Sequence, residues 1–282
     1  YLYNERSELI RFLTVKEPLY LILSFLLLFP SFLCMFWARE QLTSAMNIAI
    51  DRKSNWNLFC RNMMTRYIPG GIWNQLEAVM GLKTNGNASI KQGGKLVVLE
   101  MFWRAASGIL FFGLFILNFQ FSFASWRINF QIIIIYPILI LLFVFGVWTF
   151  SSRYPFIILY SIRNLFFHLV ANFLFYVSNG ISFYFLIRAF YPLLNIYNLV
   201  SVISASTLGW VAGFLFVPAP SGLGVREAVT GYLLSSVINI FALGFSITLL
   251  HRILILARDV VIYVVTFVYI KGQTFKGLTF RN

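Results

Sequence analysis

The chain has 282 residues, of which 60% are hydrophobic and only 11% are charged. A soluble domain carries about 25% charged residues, so this composition excludes a soluble globular protein and predicts an integral membrane protein. The net charge of +13 does not indicate a nucleic-acid partner, because the basic residues are dispersed between apolar segments and form no soluble basic face.

Six apolar runs are each long enough to cross a bilayer as a helix, which takes about 20 residues. They lie near 18–38, 96–118, 129–150, 165–187, 195–217 and 244–270. A seventh stretch, 226–243, has borderline length. The prediction is an all-α, polytopic membrane helix bundle with six or seven spans, forming one integral membrane domain over residues 1–282.

Basic residues are concentrated between the first two runs and after the last. The first group is Arg39, Arg52, Lys53, Arg61, Arg66, Lys83, Lys91 and Lys95, and the second is Lys271, Lys276 and Arg281. The positive-inside rule places both groups, and hence the C-terminus, on the cytoplasmic side. Counting the predicted membrane crossings back from the C-terminus places the first residues outside. We therefore expect that a further span precedes them.

The segment PAPSGLGVREAV, residues 218–229, interrupts the apolar sequence with two prolines and two glycines. Pro220 cannot continue a helix, Gly222 and Gly224 tolerate positive φ, and the residues from Val225 onward favour a helix. That helix is predicted to start at membrane depth, with unpaired N–H groups and a positive dipole end beside Arg226. Such a start suits an anionic group such as a phosphate. The alternative is a sharp helix boundary at which Arg226 and Glu227 neutralise each other.

A second segment, RYIPGGIWNQLEAVMG at residues 66–81, has the same arrangement. Both segments contain proline, a small residue and glycine, and then a helix with the pattern EAVxG. Interrupted helices in corresponding parts of two halves indicate a transporter binding site between repeats. We therefore predict possible repeat halves at 18–125 and 150–282, whose broken or re-entrant helices meet near the membrane midplane.

Ionisable residues inside the predicted spans are costly and are candidates for function. Glu100 and Arg104 are four residues apart on one helix face and are predicted to form an internal structural pair. Arg252 and Asp259 share a face of the last helix and are candidates for function. His168 is predicted to be a packing residue, and His251 is predicted to lie near the membrane interface.

No cofactor, metal site or catalytic motif is predicted. Two cysteines and two histidines are too few for a metal-ligand cluster. Nucleotide-binding glycine motifs and a G-x-S-x-G element are absent from the sequence. The chain is therefore predicted to be no enzyme, and any energy source must be an ion gradient, the lipid gradient itself or a partner.

The motifs VPAPSGLGVREA and YIPGGIW resemble the two signature elements of the lysylphosphatidylglycerol synthase transmembrane family. Glu100 with Arg104 and the segment LLHRILILARD fit the same pattern, so the likeness spans roughly residues 18–270. Two residues depart from it, since Ser221 and Trp73 replace glycines. The resemblance implies a stand-alone flippase region, without the synthase domain, in a bacterial or archaeal cytoplasmic membrane.

The expected function is translocation of an anionic or aminoacylated phospholipid, or of a polyprenyl-phosphate-linked lipid, between leaflets. Expected partners are membrane lipids and a lipid substrate with a phosphate headgroup, with a partner transferase or a second copy as possibilities. Glu77 and Glu227 are expected to hold a headgroup amine or to exchange protons. The alternative is a subunit or scaffold of a lipid-linked glycosyl- or aminoacyl-transferase assembly. The predicted substrate-binding residues are Pro69, Gly70, Gly71, Glu77, Pro220, Gly222, Gly224, Arg226, Glu227, Arg252 and Asp259.

Overall fold

The computed structural model describes residues 14–68, 72–86, 88–115, 162–216, 222–238 and 241–279. Within these ranges all regular elements are helical, and one turn of 3₁₀ helix precedes α6. The α-helices are α1 (Pro18–Ala45), α2 (Arg52–Thr65), α3 (Trp73–Asn85), α4 (Ile90–Phe115), α5 (Ile162–Phe190), α6 (Leu199–Leu215), α7 (Val225–Ile238) and α8 (Phe241–Thr279).

The described residues contain four helices that are long and apolar enough to cross a membrane. They are Pro18–Ala45, Arg163–Phe190, Ile196–Leu215 and Ala242–Ile270. The prediction of an all-α fold is thus confirmed, and these four apolar helices agree with an integral membrane protein, whereas a total of six or seven spans stays a prediction. The predicted run at 129–150 lies outside the described residues, and the run at 96–118 falls within and just beyond α4.

Helices α1 and α5 form the central pair and run antiparallel. Near the start of α1, the backbone oxygen of Ser24 accepts a hydrogen bond from the hydroxyl of Ser182, at 2.8 Å. Near its end, the backbone oxygen of Ala38 accepts one from Nδ1 of His168, also at 2.8 Å. Two polar anchors at opposite ends of an apolar contact hold the two helices in one register.

The helices before and after the undescribed middle segment follow the same order. In each half a long helix is followed by two shorter helices and a second long helix, α1 to α4 and then α5 to α8. The contacts between helices are also equivalent in the two halves. The first short helix of each half packs on the last long helix of the other half, α2 on α8 and α6 on α4. The second short helix packs on the last long helix of its own half, α3 on α4 and α7 on α8.

Two glycines mark equivalent contacts in the halves. Gly93 is the fourth residue of α4, and a Cβ there would lie 3.2 Å from the Cα of Val79 on α3. Gly244 is the fourth residue of α8, and a Cβ there would lie 3.1 Å from the Cα of Gly231 on α7. In both halves a short helix therefore packs closely on the first turn of the long helix that follows it.

Candidate functional site

A cavity of about 120 Å³ lies among the helices of both halves. Residues of the two interrupted segments line it, Arg66, Tyr67, Asn74 and Gln75 from the first and Gly222 and Arg226 from the second. Five of the lining side chains are guanidinium groups: Arg66, Arg104, Arg226, Arg252 and Arg258. Among the described residues, no carboxylate lines this cavity. Its wall is therefore strongly cationic.

Close backbone packing positions the start of α7. Gly222 has φ +68°, and a Cβ at this position would overlap the backbone of Gly213 on α6. A residue with a side chain is disfavoured both by this conformation and by the contact. Gly224 also has positive φ, at +87°. These two glycines bring the first turn of α7 against α6 and direct Arg226 to the cavity wall.

Glu227 stabilises the first turn of α7. One carboxylate oxygen accepts a hydrogen bond from the backbone N–H of Gly224 at 2.6 Å, the return bond of a capping box. The other accepts from Arg252 at 3.1 Å. The side chain is fully buried. Glu227 therefore caps α7 and holds Arg252, and the carboxylate is not on the cavity wall.

Arg226 is held by a chain of hydrogen bonds that reaches the central helix pair. Its Nη2 lies 3.4 Å from Nδ1 of His251, whose Nε2 lies 3.2 Å from the hydroxyl of Ser182. Because that hydroxyl donates to the backbone of Ser24, it accepts from Nε2–H, and Nδ1 is left to accept from Arg226. His251 is thus a neutral acceptor.

The Arg226 guanidinium is only partly paired within the part of the chain that the structure describes. The residue is 8% exposed, and its Nε has no hydrogen-bond partner there. A buried donor without an acceptor is costly. The site therefore presents a cation with unused hydrogen-bonding capacity at the cavity wall.

Asp259 organises two of the other arginines. Its carboxylate accepts from Arg66 at 2.5 Å, from the hydroxyl of Tyr67 at 2.7 Å and from Arg258 at 2.7 and 3.0 Å. Arg258 also donates to the backbone of Leu28 and to the hydroxyl of Ser31. Asp259, whose side chain is fully buried, therefore ties α2 to α8, and Arg258 ties α8 to α1.

Glu100 and Arg104 form an ion pair of 2.6 Å within α4. The guanidinium carbon of Arg104 also lies 6.0 Å from the ring centroid of Trp210, within the range of a cation–π contact. The Nε of Arg104 has no hydrogen-bond partner among the described residues, and Arg104 lines the cavity. The pair was predicted to be structural, but Arg104 also belongs to the site.

Glu77 is not brought into the cavity. It lies on α3 and pairs with the half-exposed Arg61 of α2 at 2.7 Å. Arg226, Arg252 and Gly222 do line the cavity, while Gly224, Glu227 and Asp259 support it from behind. The other predicted binding residues lie outside the described residues: Pro69, Gly70, Gly71 and Pro220.

Sequence reasoning missed Arg66, Tyr67 and Arg258 as site residues. Arg66 was counted as a cytoplasmic loop charge, although it stands three residues before the first Pro-Gly segment. His251 was predicted near the interface but is fully buried beside Arg226. Arg39 was also counted as a loop charge and is fully buried in α1, 3.7 Å from Glu100. Contacts between different helices determine the positions of these residues. Spacing along a single helix does not reveal such contacts.

A larger groove lies along α2 and α8 and shares no lining residue with the cavity. Its volume is about 1070 Å³. Apolar side chains of α1 and α8 form most of the wall, and Arg52 and Lys53 at the start of α2 line one end. The indole of Trp56 donates to Thr266 at 3.0 Å, joining α2 to α8 at this groove. The groove thus combines apolar walls with a basic end.

Comparison of the chain with protein-family models, with curated proteins and with solved structures gives no match.

Proposed function

We propose that this protein is a lipid translocase that moves a lipid with a phosphate headgroup between the two leaflets of a membrane. The observation that carries the proposal is the arginine-lined cavity between the two interrupted segments. Buried cations in a membrane protein are expensive, and by default they are candidates for a substrate path. Five guanidinium groups around one cavity would be a costly way to build a scaffold.

The chemistry of the lining favours phosphate. Guanidinium groups present planar sets of donors that match phosphate oxygens, and such charge-assisted bonds are strong. Arg226 and Arg104 each have a buried Nε without a partner among the described residues. The start of α7 adds a positive helix end next to Arg226. A phosphate in the cavity would give these two side chains an acceptor.

The correspondence between the halves supports a transport role. Because α1 and α5 are antiparallel and the other helices pack in corresponding pairs, we propose that the halves are inverted repeats. Transporters with inverted repeats bind substrate at the repeat interface, near broken helices, and expose the site alternately to each side. A cavity that is lined by residues of both halves supports this proposal.

The groove along α2 and α8 provides a place for the lipid chains. Its apolar walls suit hydrocarbon, and Arg52 and Lys53 suit an anionic headgroup near the end of the groove. In the proposed mechanism the phosphate passes from this end to the cavity, while the chains stay along α1 and α8.

The ion pair between Arg66 and Asp259 is the proposed gate. It joins α2 of the first half to α8 of the second. A phosphate that enters the cavity competes with Asp259 for Arg66, which loosens the contact between the halves. Transport then requires that this pair break and reform.

The test is lipid movement in reconstituted vesicles. A fluorescent anionic phospholipid is followed by quenching from outside, for the intact protein and for Arg226→Ala. The matched control is Arg163→Ala, because Arg163 is exposed at the start of α5. We expect the control to move lipid and Arg226→Ala to lose the activity while staying folded. Normal movement by Arg226→Ala would overturn the proposal.

The resemblance to the lysylphosphatidylglycerol synthase transmembrane family stays a prediction, and the proposal does not depend on it. A scaffold or transferase subunit would move no lipid and would tolerate Arg226→Ala. The same vesicle assay therefore separates the two classes of function.

A further inference from the structure

We infer that the cavity selects a lipid phosphomonoester, a headgroup with two negative charges, over a phosphodiester or an aminoacylated phospholipid. The inference rests on the proposed function and specifies its substrate class. It follows from the balance of charges around the cavity, from the ion pairs that the nearby carboxylates already form, and from the number of oxygens that each headgroup offers.

The charges around the cavity do not cancel. Five guanidinium groups line it. Three carboxylates contact them, Glu100 at Arg104, Glu227 at Arg252 and Asp259 at Arg66 and Arg258. His251 adds no charge, because its Nδ1 accepts from Arg226. Glu100 is shared with a sixth guanidinium, that of the buried Arg39, which does not line the cavity. Among the described residues, the cluster around the cavity therefore carries an excess of three positive charges.

A buried excess of charge favours a ligand that neutralises it. Removing ions from water is costly unless they are paired, and the cost grows with each unpaired charge. A phosphomonoester carries about −1.5 to −2 at pH 7 and therefore offsets more of this excess. A phosphodiester carries one negative charge, so it leaves more of the positive charge uncompensated.

An aminoacylated headgroup fits the cavity least well. Its ammonium would need an acceptor, but the side chains of Glu227 and Asp259 are fully buried in ion pairs behind the wall. Glu77 pairs with Arg61 and does not line the cavity. The carboxylates expected from the sequence to hold an amine are thus engaged elsewhere.

The arrangement of the arginines also fits a terminal phosphate. They project from four elements: Arg66 follows α2, Arg104 belongs to α4, Arg226 to α7, and Arg252 and Arg258 to α8. A monoester has three unsubstituted oxygens and can accept from donors on several sides, whereas a diester has two. Donors on several sides are used fully only by the monoester.

The experiment compares lipids with identical acyl chains in the vesicle assay. The probes are phosphatidic acid, phosphatidylglycerol and lysylphosphatidylglycerol, each competing with the fluorescent lipid. We expect phosphatidic acid to compete at least about tenfold more strongly than phosphatidylglycerol, the effect of one added hydrogen bond between charged groups. Lysylphosphatidylglycerol should compete least. Equal or stronger competition by either of the other two lipids would overturn the inference.

Two variants test the charge argument directly, with binding of each lipid to the purified protein as the readout, because loss of Arg226 is expected to stop transport. Arg226→Gln and Arg104→Gln each lower the positive excess by one, so the preference for binding phosphatidic acid over phosphatidylglycerol should fall. An unchanged preference in both variants would overturn the inference. Using two variants on different helices guards against the failure of one to fold.

Two further outcomes separate the possible failures. If no lipid moves at all, the proposed function fails, whereas equal movement of the mono- and diester lipids removes only the inference. Inorganic phosphate is tested as a competitor alone. If inorganic phosphate competes as strongly as phosphatidic acid, the site binds free phosphate. That result would overturn the assignment of a lipid headgroup to the cavity.

Discussion

Arg66 and Asp259 stand 193 residues apart in the chain and form a 2.5 Å ion pair in the protein. Arg66 follows α2 and Asp259 lies in the middle of α8, so this contact joins the two halves beside the cavity. The same carboxylate holds Arg258, which in turn contacts α1. One acidic residue thus orients two of the five lining arginines.

Replacing Asp259 by Asn should destabilise the protein and stop transport. The amide keeps the size of the side chain but leaves Arg66 and Arg258 without their counter-charge, and breaking a buried pair costs about 3–5 kcal/mol. Thermal unfolding in detergent measures the loss. The control is Glu40→Gln at the pair with Arg52, whose side chain is 80% exposed, where the cost should stay below about 1 kcal/mol. Equal losses in the two variants would contradict the role of Asp259.

Replacing Gly222 by Ala should displace the start of α7. The new Cβ would meet the backbone of Gly213, and the residue has a φ of +68° that costs about 1–2 kcal/mol for residues other than glycine. Both unfolding temperature and headgroup binding should fall. Gly94→Ala is the matched control, because a Cβ at this helical position meets nothing within 4 Å and should stabilise α4 slightly. If Gly222→Ala binds the headgroup as strongly as the wild-type protein does, the position of α7 does not determine headgroup binding.

Replacing Glu227 should separate its capping role from its charge. Gln still accepts from the N–H of Gly224 but no longer neutralises Arg252, so this variant should unfold at a higher temperature than Glu227→Ala, which loses both. The added positive excess should also make Glu227→Gln retain phosphatidic acid more tightly and translocate it more slowly. Lipid retention and transport rates measure this effect.

The matched control for that prediction is Glu77→Gln. Glu77 has an ion pair with Arg61 but no place on the cavity wall, so its replacement should change neither retention nor rate. A slowing equal to that of Glu227→Gln would refute the assignment of the cavity as the headgroup site.

Replacing His251 by Phe should release Arg226. A hydrogen bond to a charged group is worth about 1.5–3 kcal/mol, so headgroup affinity should fall about ten- to a hundredfold. His251→Asn should retain part of the affinity, because its amide oxygen can replace Nδ1 as the acceptor. Competition by phosphatidic acid measures both variants.

The comparison for this prediction is His168→Phe. His168 is equally buried, but its partners are the backbone of Ala38 and the amide of Asn172, and none of these residues lines the cavity. Its replacement should lower stability and leave headgroup affinity intact in the protein that folds. An affinity loss as large as that of His251→Phe would show that both act only through stability.

The sequence alone predicted the apolar helices and one helix start, because both depend on hydropathy and local backbone chemistry. The apolar runs predicted helices over 18–38, 165–187, 195–217 and 244–270, and the structure has membrane-length helices there. Because proline and glycine act on their immediate neighbours, they also predicted that a helix begins at Val225, where α7 does begin. These signals are local, so composition and spacing carry them.

Tertiary structure decided which charges meet. Arg66 and Arg39 were counted as loop charges, yet both are buried against acidic partners on other helices. Spacing along one helix predicted the contact of Glu100 with Arg104, but it carries no information about Arg66 and Asp259. In a low-dielectric interior an ion is stable only where an opposite charge is close, and that proximity arises from helix packing. The sequence by itself determined that the chain is helical with apolar segments of membrane length, and only the packing of both halves determined the arginine-lined cavity.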